Sequence, residues 1–399
     1  MSLALISRND DLKRLRDEGY EVDISNGYLV IGHIPYVNAE RHVAYGTLAS
    51  HLQLAGDTTV KPPDHVTLWA GDYPCDSRGS QLANLVNNAN LQEKVRDNLI
   101  ARFSFSHKPE GGYKDCYDKM TTYIRILEGE AHAIEPSSTS RTYPVVKSTD
   151  EDAPFLYVDT ASSRAGITDI NAKLKMGRIA IVGLGGTGAY VLDLVAKTPV
   201  GEIDLFDGDA FLQHNAFRSP GAPSIEDLAE QPTKVAWFAE TYSKMRKGVV
   251  PHHYYVDETN VTELKAMDLV FLCLDRGEPK RTIVDYLVES KIPFIDVGMG
   301  LNIQDGALDG LVRVTTCTPS FHDHLTKRIP FGDGEENEYS RNIQIADMNA
   351  LNAALAVIKW KKLCGFYADL EKEHHTVYGV STNVLTNEEL PVEAKVDQA

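Results

Sequence analysis

The chain has 399 residues, enough for two domains that each enclose a sizeable core. Its apolar and charged fractions, 43% and 24%, are those of an ordinary soluble globular protein, which leaves out collagenous, disordered and membrane-embedded classes. A formal net charge of −17 argues against a broad nucleic-acid or anionic-membrane surface, because both need clustered Lys and Arg.

The opening MSLALISRNDDLKRLRDEG turns charged at once and lacks the apolar run and cleavage site of a secretory leader, so a cytoplasmic protein is expected. Asp10 to Glu18 reads as a short charged helix. Val22 to Ile34 reads as extended, with an Asn26-Gly27 turn signal inside it. His65 to Ala70 is a strand candidate, and Leu82 to Arg102 has helical spacing. TLWAGDYPCDSRG places Trp69 and Cys75 in a turn-rich setting, and FSFSHKPEGGYKDCYDKM holds His107 and Cys116. Partner recognition is the expectation for this half.

From Ala131 to Ala153 periodicity is lost, and EPSSTSRTYP has a linker composition. An N-terminal α+β domain over 1–150 is therefore expected, followed by a second domain over 151–399. There, apolar strands alternate with helices: RIAIVG, EIDLF, VVPHHYYV, DLVFLCL and PFIDVG, separated by helices at Gly188–Lys197, Lys234–Lys247 and Pro279–Lys291. Continuous apolar runs suit strands buried on both faces, so a doubly wound parallel α/β sheet is predicted. A long helix, Ile345 to Cys364, closes it; its most apolar stretch, Ala350 to Ile358, is too short to span a bilayer.

Gly183, Gly185, Gly186 and Gly188 lie in GLGGTG between the first of these strands and its helix. Glycines there let the backbone turn and approach a phosphate, while the helix offers free N–H groups and its positive end. The motif suits NAD, FAD and ATP alike. Asp207 and Asp209 end the second strand, where a carboxylate reaches ribose hydroxyls. Asn215 and Arg218 follow in HNAFR, Lys234 in QPTK, and Asp275 ends FLCLD. Cations beside the phosphates suit a site that releases pyrophosphate, since positioned Arg, Lys and magnesium stabilise the leaving charge.

This ordered set resembles the ThiF/MoeB/E1 adenylyltransferase family across about residues 155–380, a little over half the chain. The resemblance implies ATP-dependent adenylation of the C-terminal carboxylate of a ubiquitin-like or sulfur-carrier protein. It assigns Asp207 to ribose, Asn215, Arg218 and Lys234 to the triphosphate, Asp275 to Mg²⁺, and Asp209 to a helper role. It also implies a homodimer in which an Arg just before the first strand enters the partner's site; Arg164, in SSRAGITDI, is the match. An E2-like protein is a further implied partner. The cysteine pairs that hold zinc in many relatives are missing, so zinc is not expected.

Relatives with a covalent step carry a nucleophilic cysteine in the region of Cys317. His322 and His324 stand close by to help form a thiolate, although Cys317 equally suits a strand end. Cys273 reads as core, Cys364 as packing, and His374-His375 as surface. Two other readings stay open: a NAD-dependent oxidoreductase in which Asp207 binds the cofactor ribose, and a nucleotide-binding module without chemistry.

Overall fold

The computed structural model of the chain describes residues 2–148, 152–274, 277–331 and 343–390. They form two compact units, one of residues 1–151 and 157–166, the other of 152–156 and 167–399. Among the described residues no helix is long and apolar enough to cross a membrane.

The first unit sets helices α1 (Ser2–Arg8), α2 (Asp10–Asp17) and α3 (Cys116–His132), besides a short one near its end, with an antiparallel six-stranded sheet. Its strands are β1 (Glu21–Ser25), β2 (Tyr28–Val37), β3 (Val43–His51), β4 (Val66–Ala70), β5 (Val86–Asn88) and β6 (Phe103–Ser106), in the order β1-β2-β3-β4-β6-β5. Asp115 caps α3 by accepting the Asp118 N–H at 2.8 Å. Met120, Tyr123, Ile124 and Leu127 then recur at helical spacing and are fully buried against Trp69 and Phe105. Each such side chain contributes roughly 1.5–3 kcal/mol by leaving water. The helix expected over Leu82–Arg102 is absent. β5 and a small hairpin, Glu93–Arg96 with Leu99–Ala101, occupy that stretch. Pairing of Val86 with Phe105 on β6 outweighs the local periodicity.

The second unit is built on an eight-stranded sheet. Its strands are β7 (Arg178–Val182), β8 (Glu202–Phe206), β9 (Val249–His252), β10 (Leu269–Leu272), β11 (Phe294–Gln304), β12 (Ala307–Cys317), β13 (His375–Gly379) and β14 (Val384–Glu388). The order is β9-β8-β7-β10-β11-β12-β13-β14, parallel as far as β11 and antiparallel beyond. On β7, Ile179 and Ile181 enter one apolar cluster while Ala180 and Val182 enter another, so both faces are covered. The helices that matter for the site are α4 (Gly186–Ala196), α5 (Gln213–Ala216), α6 (Lys234–Ser243), α7 (Glu278–Glu289) and α8 (Ala346–Leu363). The predicted doubly wound sheet and closing helix are therefore present. The strand order reverses between β7 and β10, and in such sheets ligands bind in the crevice outside the carboxyl ends at that point.

Candidate nucleotide site

The glycine loop leaves β7 at this switch point. Gly183 has a φ of +91°, and a Cβ there would stand 2.7 Å from the Cys273 carbonyl oxygen, so only glycine fits. A Cβ on Gly188 would overlap the Gly183 carbonyl oxygen. At Gly185 the surroundings are open among the described residues: the nearest of them to a Cβ is Gln344 Oε1 at 4.0 Å. Gly185 is also the residue before α4, where the unsatisfied N–H groups of the first turn point outward.

Asp207 braces this loop from the end of β8. It is 6% exposed. Its Oδ2 accepts the Leu184 N–H at 2.7 Å and its Oδ1 accepts the Asp209 N–H at 2.9 Å. Lys234 Nζ lies 3.4 Å from both oxygens and 2.5 Å from Asp209 Oδ2. Local structure explains why Lys234 arrives there. Thr233 caps α6 by accepting the Ala236 N–H at 3.2 Å, and the Lys234 N–H donates to the Asp209 carbonyl at 3.0 Å. The threonine in the PTK segment is thus the helix cap.

Asp209 keeps 50% of its side chain exposed, and Tyr255 donates its phenol to the other oxygen. Burial works against ionisation, but the bonds from Lys234 and Tyr255 and the charge of Arg218 hold its carboxyl below the usual range. The two aspartates assigned to the ribose and to a helper role thus stand in different surroundings. Asp207 is enclosed and saturated with donors, while Asp209 faces solvent.

Asn215 is buried, and its Oδ1 accepts the Leu212 N–H at 2.9 Å, which stiffens α5. That turn delivers Arg218, whose Nε is buried with no hydrogen-bond partner among the described residues. A guanidinium nitrogen withdrawn from water and left unpaired is costly unless a ligand meets it. Glycine loop, Asp207, Asp209, Asn215, Arg218 and Lys234 thus gather at one end of the sheet. Asp275 lies outside the described residues. Arg164 belongs to the first unit, where it ends the short helix Thr160–Arg164 with its guanidinium 5.9 Å from the Tyr143 ring centroid.

Cys317 takes the strand-end position that its sequence equally suited. It ends β12, is 2% exposed, and burial pushes its thiol up to about 12. His324 donates from Nε2 to the Thr316 carbonyl at 3.1 Å, and burial lowers its pKa. His374 and His375, expected on the surface, are buried as well. Cys273 and the first-unit thiols Cys75 and Cys116 have raised pKa values too, chiefly through burial.

Two features escaped the sequence reading. Beside Cys273, Asp296 on β11 pairs with Lys280 of α7 at 2.5 Å and with Arg313 of β12 at 2.7 Å. Lys280 also donates to the Leu274 carbonyl at 3.1 Å, so this buried triad supports the end of β10. The second is Asn349 on α8, fully buried over the glycine loop. Only long-range packing creates either cluster, and no local motif marks them. Among the described residues no group of three or more His, Cys, Asp or Glu side chains could hold a metal ion.

The chain is similar to ubiquitin-like modifier-activating enzyme 5 of Drosophila mojavensis, with 26% identity over 178 residues, 40% of this chain and 44% of that protein. The Drosophila virilis protein of the same name is 25% identical over 161 residues, 37% of this chain and 39% of the other. The chain thus spans less than half the length of these relatives. Similar solved structures include Escherichia coli MccB with MccA-N7isoASN, at 18% identity and a TM-score of 0.46, covering 57% of this chain and 71% of that one. MccB with ATP stands at 20% identity and a TM-score of 0.44, covering 56% and 67%. Residues 10–160 match a domain of unknown function, DUF6791. Residues 161–388, more than half of the chain, match the ThiF family over the whole of the site just described, and the chain belongs to that family.

Proposed function

We propose that this chain, as an E1-like member of a family whose adenylyltransferases use ATP, adenylates the C-terminal carboxylate of a ubiquitin-like or sulfur-carrier protein. The observation that carries the reading is the Arg218 Nε, buried without a hydrogen-bond partner among the described residues, in a site that also holds Lys234, Asp209 and the start of α4. A guanidinium with an unmet donor, together with a helix N-terminus, suits a polyphosphate.

In this reaction a carboxylate oxygen of the carrier attacks the α-phosphorus of ATP. The bond to the β-phosphate oxygen breaks, and pyrophosphate leaves with the electron pair. Arg218 and Lys234 stabilise charge on the departing phosphates, and losing one such group costs roughly 10²–10³ in rate. Gly185 gives the phosphates access to the first turn of α4. The exposed carboxylate of Asp209 meets the ribose hydroxyls, and Asp207 keeps the glycine loop and Lys234 in register. Magnesium would supply further charge neutralisation on the phosphates, with Asp275 as its proposed ligand. The ion is well served by one or two carboxylates together with phosphate oxygens. Arg164 is proposed to complete the partner's site in a homodimer, and an E2-like protein or a thiol is a proposed later acceptor. Cys317 is too enclosed in this structure to take the acyl group directly.

Calorimetric titration with ATP and with NADH tests the core of the reading. ATP should bind, and Lys234→Ala should weaken it. Binding of NADH with no binding of ATP would favour a Rossmann oxidoreductase instead.

A further inference from the structure

We infer that Asn349 is a positioning residue that ties the phosphate loop to the segment carrying Arg218, so that α8 sets the geometry of the nucleotide site. This rests on the adenylation reading and deepens it.

Asn349 lies 162 residues from the glycine loop in sequence, in the first turn of α8, and is 0% exposed. Its carboxamide has two partners on different elements. Oδ1 accepts from the Thr187 hydroxyl at 2.9 Å, at the start of α4. Nδ2 donates to the Arg218 carbonyl at 3.2 Å. A single side chain therefore spans the two halves of the site, the anion-binding helix end and the cationic loop. No other amino acid of that size both accepts and donates in one rigid planar group.

The glycine at position 186 is explained by the same contact. A Cβ there would overlap the Asn349 amide. The loop has thus given up a side chain to let α8 approach. Asn352, one turn on and equally buried, donates to the Gly298 carbonyl at 3.1 Å, anchoring α8 to β11. The clamp is consequently held at a fixed height above the sheet. A buried amide that binds only backbone and a hydroxyl would be a costly way to fill space, since an apolar side chain packs without needing partners. What it provides is a fixed separation between Thr187 and Arg218. The bond holds the Arg218 backbone, and among the described residues the Nε of that side chain has no hydrogen-bond partner of its own.

The test is a double-mutant cycle on ATP affinity, read by calorimetry with ATP and magnesium on the full chain. Asn349→Ala should weaken ATP about tenfold, and in an Arg218→Ala background the same change should cost less than about twofold. A side chain that merely supports the fold would cost the same in both backgrounds, and that result would overturn the inference. So would an unaltered affinity in Asn349→Ala. Should that variant melt prematurely, Thr187→Val removes one of the two bonds at nearly constant volume. It should weaken ATP about threefold alone and coupling to Arg218→Ala should again erase the effect; additivity there would refute the clamp. A parent protein that binds no ATP at all would overturn the adenylation reading, whereas a parent that binds ATP with additive variants overturns the clamp alone.

Discussion

Gly185→Ala should separate stability from function. Among the described residues the new methyl group meets nothing nearer than Gln344 Oε1 at 4.0 Å, and the residue's φ of −68° is open to any L-amino acid. The folded state therefore absorbs the change, and the unfolded chain loses freedom. Together these predict a stability within about 1 kcal/mol of the parent, on the stabilising side. The same methyl group projects into the open space beside the first turn of α4, where a phosphate must come to reach the N–H groups. Losing one hydrogen bond to a charged oxygen costs about 1.5–3 kcal/mol, a factor of roughly 10–150 in dissociation constant. Gly188→Ala provides the contrast, because its Cβ overlaps the Gly183 carbonyl oxygen and the loop itself must break. Thermal melts paired with ATP calorimetry measure both quantities. Gly185→Ala protein that binds ATP as tightly as the parent would refute the placement of phosphate at this loop.

Two further outcomes follow from burial. Cys317→Ala should leave ATP affinity unchanged while costing about 1–2 kcal/mol in urea unfolding, since the thiol is packed in the core and distant from the glycine loop; rapid alkylation of Cys317 in the native protein would contradict its enclosure. The second concerns pH. Burial lowers His374 and His375 from 6.5 to about 4, helped by Lys359 for the first and by Arg328 and Arg313 for the second, while Glu388 and Glu389 oppose the shift at His375. The native state holds both rings neutral, so the unfolded chain binds more protons between these values. Stability is then fully present above about pH 6.5 and falls as the pH drops toward 4, by on the order of 1 kcal/mol per pH unit for each ring. Urea titrations at pH 7 and pH 5 should show the loss, and a His374→Gln/His375→Gln variant with an undiminished slope would refute its assignment to these rings.

The ThiF-type half of the chain was legible because its signals are local. A tight strand-to-helix turn needs glycines, a helix start needs a cap, and strands covered on both faces need unbroken apolar runs; GLGGTG, Thr233-Lys234 and RIAIV carry these requirements in adjacent residues. The order of Asp207, Asp209, Asn215, Arg218 and Lys234 along the chain likewise announced a site at one sheet end. What the sequence left open depends on partners distant along the chain. Leu82–Arg102 has helical spacing, yet it becomes strand because β6 offers an edge to pair with. His374-His375 look exposed among polar neighbours, yet the pairing of β12 with β13 and the turn at His324 enclose them. Which aspartate braces the loop and which stays open to solvent turned on burial alone, since Asp207 and Asp209 are equivalent as letters. Asn349 is the clearest case. Its neighbours in sequence are an unremarkable helix, and its meaning arises only where α8 lies over Gly186, because hydrogen-bond partners are chosen by distance in space and not by position in the chain.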